Sequence, residues 1–148
     1  LIRILFTSSR GLETHKPDDR FTVEQALSDA CARFPATEQI QLVHGGSVDP
    51  AGKHIGGDWI ADAIWRKWAA SWPGLYAEPE VHPAAAHPDP KARNLHMVAL
   101  GADLCVAIAH NWISGTGHCA RHARKAGIPT LDFGVATGMD HSPWKKAA

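Results

Sequence analysis

The run Ala102-Asp103-Leu104-Cys105-Val106-Ala107-Ile108-Ala109 constrains this chain most, because it is of strand length and almost continuously apolar. A strand with one face in water alternates polar and apolar residues, whereas a strand covered by helices on both faces does not. The run therefore predicts a strand from the middle of a parallel sheet, lying beside the first strand. Parallel neighbours need crossover connections, and the chain supplies them, since short apolar runs alternate with longer segments of helical period.

Ile2 to Thr7 reads as the first strand, followed by a polar loop through Lys16-Pro17-Asp18-Asp19. A helix then carries Phe21, Val23, Ala26, Leu27, Ala30 and Phe34 until Pro35 ends it. Ile40 to His44 is a second strand, broken at Gly45-Gly46. A long loop from Ser47 to Gly57 leads into a helix from Asp58 to Ser71, closed by Pro73-Gly74. Leu75 to Val81 is an irregular third strand, and Pro79, which has no N–H to give a neighbour, makes it an edge. His82 to Pro90, rich in Pro, Ala and His, is a surface loop before a helix from Lys91 to Leu100. After the apolar strand come a loop from His110 to Gly115, a helix from Thr116 to Lys125 stopped by Gly127, and a last strand from Ile128 to Phe133. These elements predict an α/β fold, a Rossmann-like three-layer sandwich with a mostly parallel central sheet. With 148 residues the chain supports one core but not two. The expected organisation is one domain over residues 1–134 and a C-terminal tail over 135–148.

Composition narrows the functional classes. Fifteen Lys plus Arg balance fifteen Asp plus Glu, so no overall positive field draws in nucleic acid or an anionic membrane. Cys31, Cys105 and Cys119 are widely spaced and form no CxxC, which suits reduced core thiols in a cytoplasmic protein. No apolar stretch approaches the roughly 20 residues that span a bilayer. Of the ten histidines, His118 and His122 share a helical face, but Cys119, Ala120 and Arg121 lie between them and supply no HExxH glutamate. No metal and no cofactor is expected, and the absence of G-x-S-x-G argues against a serine hydrolase. Trp65, Trp68 and Trp72 recur at helical spacing and read as core or as a subunit interface, the latter implying a homodimer or higher homo-oligomer.

Ligands in open α/β sheets bind outside the carboxyl ends of the strands, so the loops after each strand carry the candidate site. Thr7-Ser8-Ser9-Arg10-Gly11 offers hydroxyls and a guanidinium after the first strand. His44-Gly45-Gly46 lets backbone N–H groups approach a ligand, because no Cβ stands in the way. Asp58 serves either as the cap of the helix it opens or as an acceptor for ribose hydroxyls or a base. Arg93 and Asn94 suit a phosphate and a ribose or base, against the plainer reading of a solvated helix start. Ser114-Gly115-Thr116-Gly117 opens a helix after the apolar strand, where free N–H groups and the helix dipole favour an anion. Neither G-x-x-x-x-G-K-[ST] nor G-x-G-x-x-G occurs, which sets aside P-loop NTPases and dinucleotide dehydrogenases.

In order and content these loops resemble the YspA-type, cpYpsA-related branch of the SLOG superfamily, Rossmann-like proteins of bacteria and their phages. Ile4 to Arg10 is similar to that family's opening strand and T-G-S-R turn, with Ser8 where glycine is usual. Val43-His44-Gly45-Gly46 with Gly57-Asp58 is similar to its V-H-G-G…G-x-D element, with Asp58 directly after Gly57. Arg93-Asn94, Met97 and Gly101-Ala102-Asp103 are similar to R-N-x-x-M…G-A-D, although Pro88-Asp89-Pro90-Lys91 departs from the preceding G-K-x-A-G-P. Gly115-Thr116 through Ala126-Gly127-Ile128-Pro129 is similar to its G-T…A-x-x-A-G-I-P ending. The resemblance implies a site for a nucleotide or nucleotide-derived ligand built from Ser9, Arg10, Gly45, Gly46, Asp58, Arg93, Asn94, Gly115 and Thr116. The related lonely-guy enzymes cleave nucleoside monophosphates with a P-G-G-x-G-T-x-x-E motif, and Cys119 stands where that catalytic glutamate falls. A neutral thiol does not supply the negative charge that an oxocarbenium-like transition state needs. The expectation is therefore a protein that senses or sequesters its ligand. The alternative is a nucleoside-monophosphate N-glycosidase using Asp58, and a single-strand nucleic-acid module ranks third.

Overall fold

The structure is a computed structural model that describes residues 1–109 and 115–134. Ser114, most of the loop before it and the tail from residue 135 lie outside the described residues. The elements run β1 (Ile2–Ser8), α1 (Pro17–Cys31), β2 (Ile40–His44), α2 (Gly57–Ser71), β3 (Tyr76–Val81), a short 3-10 turn (Ala84–Ala86), α3 (Pro90–Leu100), β4 (Leu104–Ala109), α4 (Gly115–Lys125) and β5 (Thr130–Gly134). The five strands form one sheet in the order β3-β2-β1-β4-β5, and every neighbouring pair is parallel. The fold is α/β, a Rossmann-like three-layer sandwich. Among the described residues no helix is long and apolar enough to cross a membrane.

Strand periodicity divides the core in two. Successive side chains of a strand point to opposite faces of the sheet. Ile4 and Phe6 of β1, Leu42 of β2, and Leu104, Val106 and Ile108 of β4 accordingly meet Val23 and Leu27 of α1 and Ile60 and Trp65 of α2. Leu5, Val43 and Cys105, the alternate residues, meet Met97 and Val98 of α3 and Cys119 and Ala123 of α4 on the other face. Every residue of β4 is buried, which is why its sequence does not alternate. The central position belongs to β1, with β4 beside it.

The third strand lies at an edge, as Pro79 requires. From Gln41 to Val43 on β2 the opposite strand advances from Ala77 to Glu80, so β3 carries one extra residue at Glu78-Pro79. The missing proline N–H thus falls in a bulge, where the ladder is already broken. Arg3 ties this edge to the sheet centre: its guanidinium bonds Gln41 Oε1 at 3.2 Å and both carboxylate oxygens of Glu80, the shorter at 2.7 Å. This pairing, helped by His82 and opposed by burial, holds the Glu80 carboxyl down at about 2.

Two helix boundaries and the tryptophan stripe differ from the sequence expectation in ways that matter for the core and the site. Helix α1 ends at Cys31 rather than near Pro35, because the N–H groups of Arg33 and Phe34 bond carbonyls only three residues back, in tighter turns, and Phe34 still packs against the core from there. Helix α2 begins at Gly57, with Gly56 as its cap at φ 86°, so Asp58 lies inside the first turn. The Trp stripe is graded rather than uniform. Trp65 is fully buried, Trp68 packs partly against the core, and Trp72 is 56% exposed at the helix end.

Candidate functional site

The strand order reverses at β1, whose crossover to β2 goes one way while β4 lies on its other side. Such a reversal parts the loops at the carboxyl ends of the two strands and leaves a crevice. A cavity of about 430 Å³ lies there, walled by the loop after β1, the loop after β2, and the first turns of α2, α3 and α4. Its volume falls within the range of small-molecule sites.

Asp58 forms one wall. It is buried and accepts hydrogen bonds from Ser8 Oγ at 3.0 Å, Ser47 N at 3.3 Å and Ser47 Oγ at 3.2 Å. This corrects the capping alternative: the carboxylate faces across the cavity floor instead of bonding its own helix start. The close approach of the β1 loop makes it possible, because a Cβ on Gly57 would lie 2.5 Å from Ser8 Oγ. Ser8, the departure from the resembled turn, is therefore Asp58's partner.

Arg93 lines the same cavity, and it is no solvated helix start. Asp89 caps α3 by accepting from Ala92 N at 2.7 Å, which leaves Arg93 one turn in and only 6% exposed. Its Nη1 donates to Gly45 O at 2.6 Å and His82 O at 3.3 Å, and its Nε donates to Asn94 Oδ1 at 2.9 Å. Asn94 Nδ2 in turn donates to Gly115 O at 3.3 Å, joining α3 to the start of α4. Burial pulls the Arg93 pKa down, against the distant attraction of Asp58. Among the described residues no carboxylate lies within ion-pair distance of this guanidinium.

The two glycines after β2 take different places, Gly45 at the cavity and Gly46 away from it. Gly45 lines the cavity, and a Cβ on it would sit 2.3 Å from Arg93 Nη1, so the missing side chain also makes room for the guanidinium. Gly46, at φ 60°, faces Val81 and Trp59, and its N–H donates to His44 Nδ1 at 3.0 Å. That N–H is spent inside the protein, and Gly46 does not line the cavity. Since the far end of a side chain can yield where backbone cannot, Gly45→Ala is expected to fold with its guanidinium displaced, losing about 1–3 kcal/mol of stability. Urea unfolding measures it, and an unchanged midpoint would show that Arg93 does not need the space.

Fully buried His44 is oriented by the same bond. With Nδ1 accepting from Gly46, the proton sits on Nε2 and is donated to Asp62 Oδ2 at 2.8 Å, while Arg66 Nε bonds Asp62 Oδ1 at 2.6 Å. Burial alone would raise the Asp62 carboxyl, but the hydrogen bonds from His44 and Arg66 and the charge of Arg66 hold it below the usual range. This network braces the β2 loop from behind.

The remaining predicted residues divide between cavity and core. Ser9, Arg10, Gly115 and Thr116 line the cavity, Arg10 from an exposed position and Thr116 from a buried one. Gly117 is buried in α4 and does not line it, and Ser114 lies outside the described residues. Helix α4 has no acidic residue in its first turn and carries His122, Arg124 and Lys125 in its last, the polarity that leaves its N-terminus positive. Cys119, one turn in, is fully buried in the core beneath α4, where burial pushes its thiol up to about 11 despite a hydrogen bond with Thr7. Ser47, Pro90 and Met97 also line the cavity and lie outside the candidate site segments read from the sequence, whereas Ser8 lies within one. Met97 carried a signal as the methionine of the resembled R-N-x-x-M stretch, and Ser8 as the odd residue of its turn.

No protein-family model and no solved structure matches the chain. It is 39% identical over 136 residues to the Gene 61 protein of Mycobacterium phage D29, an alignment covering 89% of this chain and 96% of that protein. Identity at that level over nearly the full length of both makes this chain a member of the phage Gene 61 protein family.

Proposed function

We propose that the chain binds a nucleotide or nucleotide-derived ligand in the cavity between β1 and β4 and senses or sequesters it without cleaving it. The observation that carries this reading is Arg93: a guanidinium 6% exposed, lining the cavity, with no carboxylate in ion-pair distance among the described residues. A buried charge without a counter-ion is costly, and an anionic ligand supplies the missing partner. The N-terminus of α4 lines the same cavity and favours the same sign of charge. Asp58, which lines the same cavity, suits the hydroxyls of a ribose, so the two residues match the two ends of a nucleoside phosphate. The order of these loops also supports membership of the YspA-type SLOG branch.

Cys119 supports binding over hydrolysis, since a fully buried thiol with its pKa near 11 carries no charge at neutral pH. The N-glycosidase reading keeps one observation, the buried Asp58 carboxylate on the cavity wall. Calorimetric titration with AMP, ADP and ADP-ribose, combined with chromatography for released base, tests both. Binding of at least one without base release is expected. Base release abolished by Asp58→Asn would establish the hydrolase, and no binding by any of them would overturn the nucleotide reading.

A further inference from the structure

We propose that His82, His87 and His96 form a binding site for a zinc-class divalent cation, which fastens the segment after β3 to helix α3. The three come from separate places: the residue after β3, the residue after the 3-10 turn, and the middle of α3. Each offers a ring nitrogen, and these nitrogens all lie within 4.8 Å of one another. Nitrogen ligands at about 2.0–2.1 Å from a tetrahedral zinc lie roughly 3.4 Å apart, so ring rotation and a small closure bring the set to bonding distance. The rings of His87 and His96 already lie 4.9 Å apart between centroids, and those of His82 and His96 5.5 Å.

His82 has the surroundings of a preset ligand. Its Nε2 meets Glu80 Oε2 at 2.8 Å, and Glu80 is itself fixed by Arg3. A carboxylate on one ring nitrogen selects the tautomer and makes the other nitrogen a better donor, the arrangement found behind metal-bound histidines. That leaves Nδ1 of His82 for the ion. The main chain of His82 is held on both sides, its N–H donating to His44 O at 2.9 Å and its carbonyl accepting from Arg93. His87 and His96 make no side-chain hydrogen bond to the described residues, so their lone pairs are open to a metal.

Imidazole nitrogens suit zinc, nickel and copper rather than magnesium or calcium, which prefer oxygen. Three protein ligands leave at least one position for water. His118 and His122 provide an internal comparison: their centroids are 4.4 Å apart, but among the described residues no third ligand joins them.

The test titrates zinc chloride into chelator-stripped, full-length chain by calorimetry and follows the thermal midpoint in parallel. One ion per chain and a raised midpoint are expected, both lost in H87A/H96A, with affinity down at least tenfold. The two side chains lie at or near the surface, so this double variant keeps the fold, which circular dichroism checks. H118A/H122A is expected to bind as the parent does. Cobalt substitution gives a second readout, since a nitrogen-rich tetrahedral site yields visible ligand-field absorption that H87A/H96A abolishes. Absence of binding, undiminished binding in H87A/H96A, or loss in H118A/H122A alone would each overturn the assignment.

Discussion

Arg93→Met is expected to weaken binding of a nucleoside phosphate by about 30-fold to several thousandfold, the equivalent of about 2–5 kcal/mol for a buried charge pair that loses one member. Methionine keeps most of the apolar stem, so the loss isolates the guanidinium. Lysine is a poor rescue, because one ammonium cannot reach Gly45 O, His82 O, Asn94 Oδ1 and a ligand oxygen in the directions that a planar fork serves. Calorimetric titration of parent, Arg93→Met and Arg93→Lys with the same nucleotide measures all three. Equal affinity in parent and Arg93→Met would remove the residue from the binding account and with it the chief support for the proposed function.

The largest loss of stability is expected at the opposite side of the sheet. Trp65 is fully buried, packs against Trp68 and Tyr76, and donates from its indole to Ala77 O at 2.8 Å. Trp65→Ala empties the largest side-chain volume of the core and removes the indole bond to the Ala77 carbonyl, at a cost of about 3–5 kcal/mol. For a chain of this size that lowers the thermal midpoint by about 10 °C. Trp72→Ala, at the exposed end of the same stripe, is expected to stay within about 0.5 kcal/mol. Differential scanning calorimetry of the two variants separates them, and similar losses from both would mean that the exposed tryptophan is buried in an assembly.

Local pattern carried most of the fold. The uniform burial of β4, the edge position of β3 and the alternation of strands with helices all follow from residues that are neighbours in sequence. What was not legible depends on residues brought together from afar. Gly45 lines the cavity, but the group that fills the space its Cβ would take is Arg93, 48 residues on, which no local pattern reveals. The local sequence leaves Asp58 either a cap or a ligand acceptor, and the choice depends on Ser8, 50 residues back, whose hydroxyl bonds the carboxylate. The three converging histidines were hidden similarly, since two lie in a segment that reads only as a polar loop and the third on a helix face.

The burial of Cys119 has a bearing on reactivity. Thiol reagents attack the thiolate, and here Cys105 and Cys119 are both fully enclosed with their pKa values pushed up, while Cys31 is partly enclosed with its own near 12. In the closed chain these sulfurs are chemically silent at neutral pH. Labelling at Cys119 therefore requires helix α4 to lift from the sheet, and the rate of its modification is a clock for that local opening.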